Sequence, residues 1–246
     1  MDEFLQKLYD TFIYDDRYMY LVNGLKTTLI ITVFAVMIGM VIGFLVAVIR
    51  ATHDKTGRLK ILNFISKIYL TVIRGTPVMV QLLIIYYVIF ASVRIDKTLV
   101  GILAFGINSG AYVAEIVRSG IMSIDNGQFE AGASLGLNYR RTMMFVILPQ
   151  AFKNILPALA NECIVLLKET SVAGYIALED LTKGGDIIRS VTYEAFLPLI
   201  AVALIYLIIV VGLSSLVGKL EKRLKKNERD GYESTRRKAR REAAEE

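Results

Sequence analysis

Three ionisable side chains stand inside otherwise apolar stretches of this sequence: Arg74, Glu115 and Glu162. A charge at mid-membrane costs about 2.5–3.5 kcal/mol on insertion scales, so each must face protein or a water-filled cavity and hold a partner. The chemistry on offer is ion pairing, either between helices or with a charged solute in a pathway. Arg74, Lys67 and Lys168 are the cations within reach of the two acids. Glu162 lies deeper, beyond Pro157, where an acid can recognise an α-amino group or a cationic side chain. The alternative is a scaffold pair with Lys168. Glu115 stands one helical turn from Arg118, and Lys67 can snorkel to a boundary. Gln81, Asn108 and Asn161 can line a pathway or hold helices together.

Covalent chemistry finds no support. A lone Cys163 excludes an intrachain disulfide and a cysteine metal cluster, and a lone His53 excludes a histidine-rich metal site. No metal site and no catalytic residue are expected. No His, Cys or Ser constellation sits at a membrane face, which disfavours a membrane enzyme. The only Gly-Lys pair, Gly218-Lys219, is followed by Leu220 and lacks the upstream glycine of a phosphate-binding loop. ATP chemistry, if needed, belongs to another chain.

The elements that must position these groups are long apolar helices. Of 246 residues 54% are hydrophobic, and mean hydropathy is +0.51, above a soluble domain's share. Residues 27–49 and 196–217 contain no Asp, Glu, Lys or Arg. At 1.5 Å per residue each run is about 33–35 Å long, enough for a hydrocarbon core of about 30 Å. Residues 61–93 carry only Lys67 and Arg74, and 98–117 only Glu115; 154–177 is the least apolar candidate. The reading is an all-α integral membrane protein of five transmembrane helices. Gly75-Thr76-Pro77, Gly106, Gly110 and Pro157 are candidate points of helix interruption.

With the first span running inward, the inner segments 50–60, 118–153 and 219–246 hold 19 Lys and Arg, against 6 in the outer ones. That places the N-terminus outside and the C-terminus in the cytoplasm. The +6 charge is then membrane topology and attraction to anionic lipid, not nucleic-acid binding. Residues 1–20 mix aromatics with acids and are read as an external interfacial helix, without a cleavable signal's basic start. Tyr86 and Tyr87 suit the outer aromatic belt. Residues 21–219 form the transmembrane domain, and 220–246 is read as a basic cytoplasmic tail without order.

Residues 125–157 read as two short helices around a glycine stop. Residues 128–135 suffice for two turns, with Glu130 near the positive end. Gly136 sits where a left-handed cap belongs, Asn138 can cap the next helix, and Pro149 marks that helix's end. The segment 119–150 thus presents a small rigid knob.

That segment resembles the EAA loop of permease subunits of ABC importers: E-A-A, three residues, Gly, nine residues, I-x-L-P. Here Glu130-Ala131-Gly132 leads to Gly136 and then to Val146-Ile147-Leu148-Pro149, with Gly132 and Val146 departing from the pattern. Further motifs resemble the polar amino acid branch: Arg74-Gly75-Thr76-Pro77, Ala111-Tyr112, Ala114-Glu115, Arg118 before Gly120-Ile121, Gly127-Gln128, and Asn161-Glu162 before Lys168-Glu169-Thr170-Ser171.

The resemblance implies a type I importer fold and a transmembrane subunit that moves polar amino acids across the bacterial cytoplasmic membrane. It implies two ATPase subunits carrying ATP and Mg, a second permease subunit, identical or homologous, and an external solute-binding protein. Glu130, Ala131, Gly132, Ser134, Leu135 and Gly136 would form the cytoplasmic coupling helix that docks on the ATPase. Substrate pathway candidates are Glu162, Asn161, Glu115, Arg74 and Gln81. A permease for another small solute and an ion-coupled secondary transporter are the alternatives; the latter would need internal repeats and no docking knob.

Overall fold

The computed structural model describes residues 2–245, with side chains over 3–54 and 56–224. Among the described residues all regular structure is helical. The chain opens with α1 (Asp2–Leu8) and a π turn at Tyr9–Ile13. There follow α2 (Tyr18–Thr56), α3 (Lys60–Gly75), α4 (Val78–Ile84, extended by a π turn at Ile85–Ile89) and α5 (Lys97–Met122). Two short helices come next, α6 (Gly127–Ser134) and α7 (Tyr139–Thr142). The chain closes with α8 (Leu148–Glu169), α9 (Leu181–Thr192) and α10 (Phe196–Glu245).

Among the described residues four helical stretches are long and apolar enough to span a membrane, and α3 with α4, a pair bent by 112°, makes a fifth candidate if the two count as one span. The bend sits at Gly75-Thr76-Pro77, where Thr76 and Pro77 are extended. Proline there withholds a backbone donor and forces its predecessor out of the helical region. The other three expected interruptions do not occur. Gly106 and Gly110 lie in the unbroken α5, and Pro157 lies inside α8.

What the glycines do instead is let two helices touch. α2 packs along α5 more extensively than any other pair of elements. Gly39 and Gly43 on α2 meet Ser109 and Val113 on α5, while Gly106 and Gly110 on α5 meet Ile38 and Ile42 on α2. Each set is a G-x-x-x-G pattern, and a Cβ at Gly106 would lie 2.8 Å from Ile38. Lipid tails are as apolar as leucine, so association inside a membrane comes from close van der Waals contact, which small residues permit. α5 is the central helix: Phe105, Ala104 and Val100 are wholly buried against Ile31, Leu82 and Leu166. α3 shows the pattern lipid demands, with Asn63 and Ser66 buried and Ile61, Phe64 and Ile65 exposed.

Segment 178–195, between the last two apolar runs, contains α9. Its N-cap Asp180, fully buried, accepts from the Thr182 N–H (3.1 Å) and the Lys183 N–H (3.0 Å). Burial pushes the Asp180 carboxyl above its ordinary pKa despite these donors. Asp186, six residues on, accepts from Lys183 Nζ (2.8 Å) and Arg189 Nε (3.0 Å), which hold its pKa below the ordinary value. Phe12 and the start of α2 pack beside Leu181 and Ile188, anchoring the N-terminal arm, whose Phe4, Tyr9 and Tyr14 stay exposed. The backbone of α10 carries on past the apolar run, and side chains 225–246 of the expected tail lie outside the described residues.

Candidate functional site

Two places gather the residues singled out above. The first is the knob of α6 and α7. Its turn is a complete Schellman motif: the Leu137 N–H donates to the Gly132 carbonyl (3.0 Å) and the Gly136 N–H to that of Ala133 (2.9 Å). Gly136 holds φ +75°, as the cap requires. Asn138 caps α7, its side chain accepting from the Arg141 N–H at 3.0 Å. Phe129 stacks on Tyr139 with ring centroids 5.8 Å apart, locking the two helices together.

Gly132, where the motif has alanine, is buried, and a Cβ there would lie 2.6 Å from Thr142 Cγ2. The departure is therefore a packing adjustment between α6 and α7. Glu130, Ala131 and Ser134 are exposed at the surface, and Leu135 is 80% exposed. An exposed leucine on a rigid turn offers a contact to another chain.

The expected helix end at Pro149 is not found. Residues Met143–Ile147 form a π turn that leads into α8, and Leu148 stays helical. The wider turn takes the missing proline donor without ending the helix. Gln150 then reaches back to Gln128 (3.3 Å) and Asn154 to Ser123 (2.8 Å), tying the knob to α8 and α5.

The second place is an open cleft of about 480 Å³ between the end of α3, α5 and α8, lined by Arg74, Tyr112, Glu115, Ser119, Asn154 and Glu162, among others. Three of the five pathway candidates meet there. Their electrostatics differ. Glu115 accepts from Arg118 Nε at 2.9 Å and lies 3.6 Å from Arg74, whose guanidinium sits over the Tyr112 ring. Its charge is matched within the protein. Glu162 is 8% exposed and accepts only the Ser109 hydroxyl, at 3.0 Å. Among the described residues no cation pairs with it.

The alternative partner, Lys168, is exposed; six residues along a helix is about 240° of rotation, which puts it on the other side of α8. The other two candidates are not in the cleft. Asn161 is exposed on α8. Gln81 is buried at the α3–α4 bend, where its amide donates to the carbonyls of Ile73 (2.8 Å) and Thr76 (3.0 Å) and its oxygen accepts from Asn108 (2.9 Å).

Asn108 belongs to a polar layer in which it holds helices together, as the sequence allows, with Tyr69 and Ser109 as members that sequence reading did not single out. Ile107 accepts the Tyr69 hydroxyl at its carbonyl (2.6 Å), Asn108 holds Gln81, and Ser109 holds Glu162. Three consecutive residues of α5, each about 100° further round, thus bind three different helices. The G-x-x-x-G pair beside them was a readable sign of this crowding; the partners themselves, far apart in sequence, were not.

Known proteins share this architecture. A family model described as a binding-protein-dependent transport system inner membrane component matches residues 39–226. The glutamine transport system permease protein GlnP of Escherichia coli (strain K12) is 39% identical over 208 residues, 83% of this chain and 93% of that protein. The arginine transport system permease protein ArtQ of Bacillus subtilis (strain 168) is 36% identical over 211 residues, 85% and 94% of the two chains. A crystal structure of an amino acid ABC transporter with histidines superposes with a TM-score of 0.79 at 42% identity, covering 86% of this chain and 98% of that one. The inward-facing MetNI methionine ABC transporter superposes at 0.70 with 21% identity, a likeness of fold.

Proposed function

The chain belongs to the binding-protein-dependent transport system inner membrane components, the transmembrane subunits of ABC importers, and from that premise we propose that it carries polar amino acids through the cleft of Arg74, Glu115 and Glu162. The observation that carries this reading is Glu162, a buried acid with one neutral partner, opening into a cleft that also holds Arg74. An acid left without a protein cation in a low-dielectric site is costly unless something positive arrives. A zwitterionic amino acid brings an ammonium for Glu162 and a carboxylate for a cation. The relatives named for glutamine and arginine transport support this solute class.

The chain performs no covalent chemistry in this scheme. ATP and Mg act on a separate ATPase subunit, two of which sit at the α6 end of the bundle, with a second permease subunit alongside and a solute-binding protein at the far face. The knob, on the cytoplasmic side, enters a groove of the ATPase through Glu130, Ala131 and Leu135. Its own backbone bonds and its ties to α5 and α8 make it a rigid lever, so closure of the ATPase pair moves the helices that line the cleft. ATP and the loaded binding protein must each favour one of the two access states, since a ligand with equal affinity for both shifts nothing.

The test is Glu162→Gln in the assembled transporter, with uptake affinity and melting temperature read on the same sample. Weaker affinity at unchanged melting temperature supports the substrate role. Unchanged affinity with a large loss of melting temperature assigns Glu162 to the scaffold.

A further inference from the structure

Beside the cleft, and sharing Arg74 with it, a groove of about 490 Å³ lies between α2 and α3, lined by Arg50, Lys67, Leu70, Thr71, Arg74 and Gly75. We propose that this groove binds the anionic headgroup of a membrane phospholipid through Arg50 and Lys67.

Three cations line the groove and no acid does. Arg74 already has Glu115 at 3.6 Å, but neither Arg50 nor Lys67 has an acid within ion-pairing distance among the described residues. Arg50 Nε is buried and without a hydrogen-bond partner. That nitrogen is closed to solvent, so the contact for a group in the groove would be the outer part of the guanidinium.

The level is that of a headgroup. Arg50 is the first charge after the apolar run 27–49 and lies six residues, about 9 Å, before the end of α2 at Thr56. Lys67 lies seven residues, about 10 Å, after the start of α3 at Lys60. The helices are antiparallel neighbours, so the two side chains start at matching depth. Helical side chains lean toward their own N-terminus, which brings Lys67 and Arg74 down toward the boundary while Arg50 leans up to meet them. Both helices also present exposed apolar side chains, Leu45 and Val48 on α2 and Phe64 and Ile68 on α3, against which acyl chains can lie. Basic pockets between spans at the cytoplasmic leaflet are sites for anionic headgroups.

The proposal rests on the membrane reading of the fold and not on which solute is carried or on Glu162. A phosphate group could come from lipid or from free phosphate, so the test separates them. The full chain, purified with its ATPase in detergent, is titrated with phosphatidylglycerol, phosphatidylcholine or inorganic phosphate, and retention is read by native mass spectrometry alongside the melting midpoint. Phosphatidylglycerol alone should be retained and raise the midpoint. Lys67→Gln should weaken it about fivefold and Arg50→Gln with Lys67→Gln about thirtyfold, while Lys67→Arg should keep it. Lys67 is exposed, so its single variants decide the matter even if Arg50→Gln fails to fold. Equal retention of phosphatidylcholine, an equal shift with phosphate, or unchanged phosphatidylglycerol binding by Lys67→Gln would overturn the proposal. So would loss of permease pairing with lipid binding intact, which would make the groove a protein interface.

Discussion

The knob of α6 and α7 holds its shape through bonds between near neighbours in the chain: the Schellman pair at Gly136 and Leu137, the Asn138 cap, and Ser134 donating to the Glu130 carbonyl. Its outer side chains, Glu130 and Leu135, are left exposed. The layer at residues 107–109 of α5 is the reverse. There Tyr69, Gln81 and Glu162 come from 27 to 53 residues away, and Gln81, Asn108, Ser109 and Glu162 are buried. The difference teaches where each region is vulnerable. A part made of local bonds with a bare outer face can lose its partner without unfolding, whereas a part made of distant buried bonds cannot lose one group without orphaning another.

The comparison predicts different failures, and the layer should give the largest. Gln81→Leu removes the donor to the Ile73 and Thr76 carbonyls and the acceptor for Asn108. Each buried orphan costs about 1–3 kcal/mol, so the variant should lose several degrees of melting temperature and most of its assembled complex. A melting curve like that of the wild type would erase the distinction between the two regions.

At the knob, Gly136→Val forces a β-branched residue to a positive φ, and Glu130→Lys reverses the charge at a helix N-terminus. Both should cut uptake at least tenfold while membrane insertion and melting temperature of the rest stay near wild type. Uptake measured in vesicles against ATP hydrolysis by the same complex checks this. Intact uptake in both variants would leave the knob without a docking role.

Glu162→Gln tests a residue that belongs to both categories, packed like the layer and open to the cleft. A hydrogen bond to a charged group is worth about 1.5–3 kcal/mol, so uptake affinity should fall roughly tenfold to a hundredfold. The glutamine can still accept from Ser109, and the melting temperature should hold.

The smallest effect belongs to neither region. Asp186, at a surface outside the spans, has its pKa lowered first by the Lys183 hydrogen bond and then by that of Arg189. A depressed acid contributes stability above its unfolded pKa of about 3.9 and loses it as pH falls through the folded value. After solvent screening that amounts to less than about 1 kcal/mol. Between pH 6 and pH 3 the melting temperature of Asp186→Asn should therefore converge on that of the wild type, and a constant gap would refute the assignment.

Sequence alone determined the features whose physics is local or one-dimensional. Uncharged runs long enough for a bilayer specify spans, because no water inside satisfies a backbone and helices are the answer. The turn at Gly136 and Asn138 was legible because a cap needs particular residues within one turn of each other. The break at Gly75-Thr76-Pro77 was legible for the same reason, since proline acts on its own neighbours.

Only the tertiary structure decided the rest. Gly106 and Gly110 read as possible breaks, yet whether a glycine loosens a helix or admits a neighbour depends on what lies opposite, here Ile38 and Ile42. Pro149 failed to end its helix because a π turn took up its missing donor, a backbone choice that no single residue announces. Arg74, Glu115 and Glu162 could be named as costly charges from sequence, but not which of them the protein would satisfy. That was decided by the packing of α3, α5 and α8, which gave Glu115 two arginines and left Glu162 a serine. Ion pairing falls off with distance in three dimensions, and separation along the chain carries no information about it.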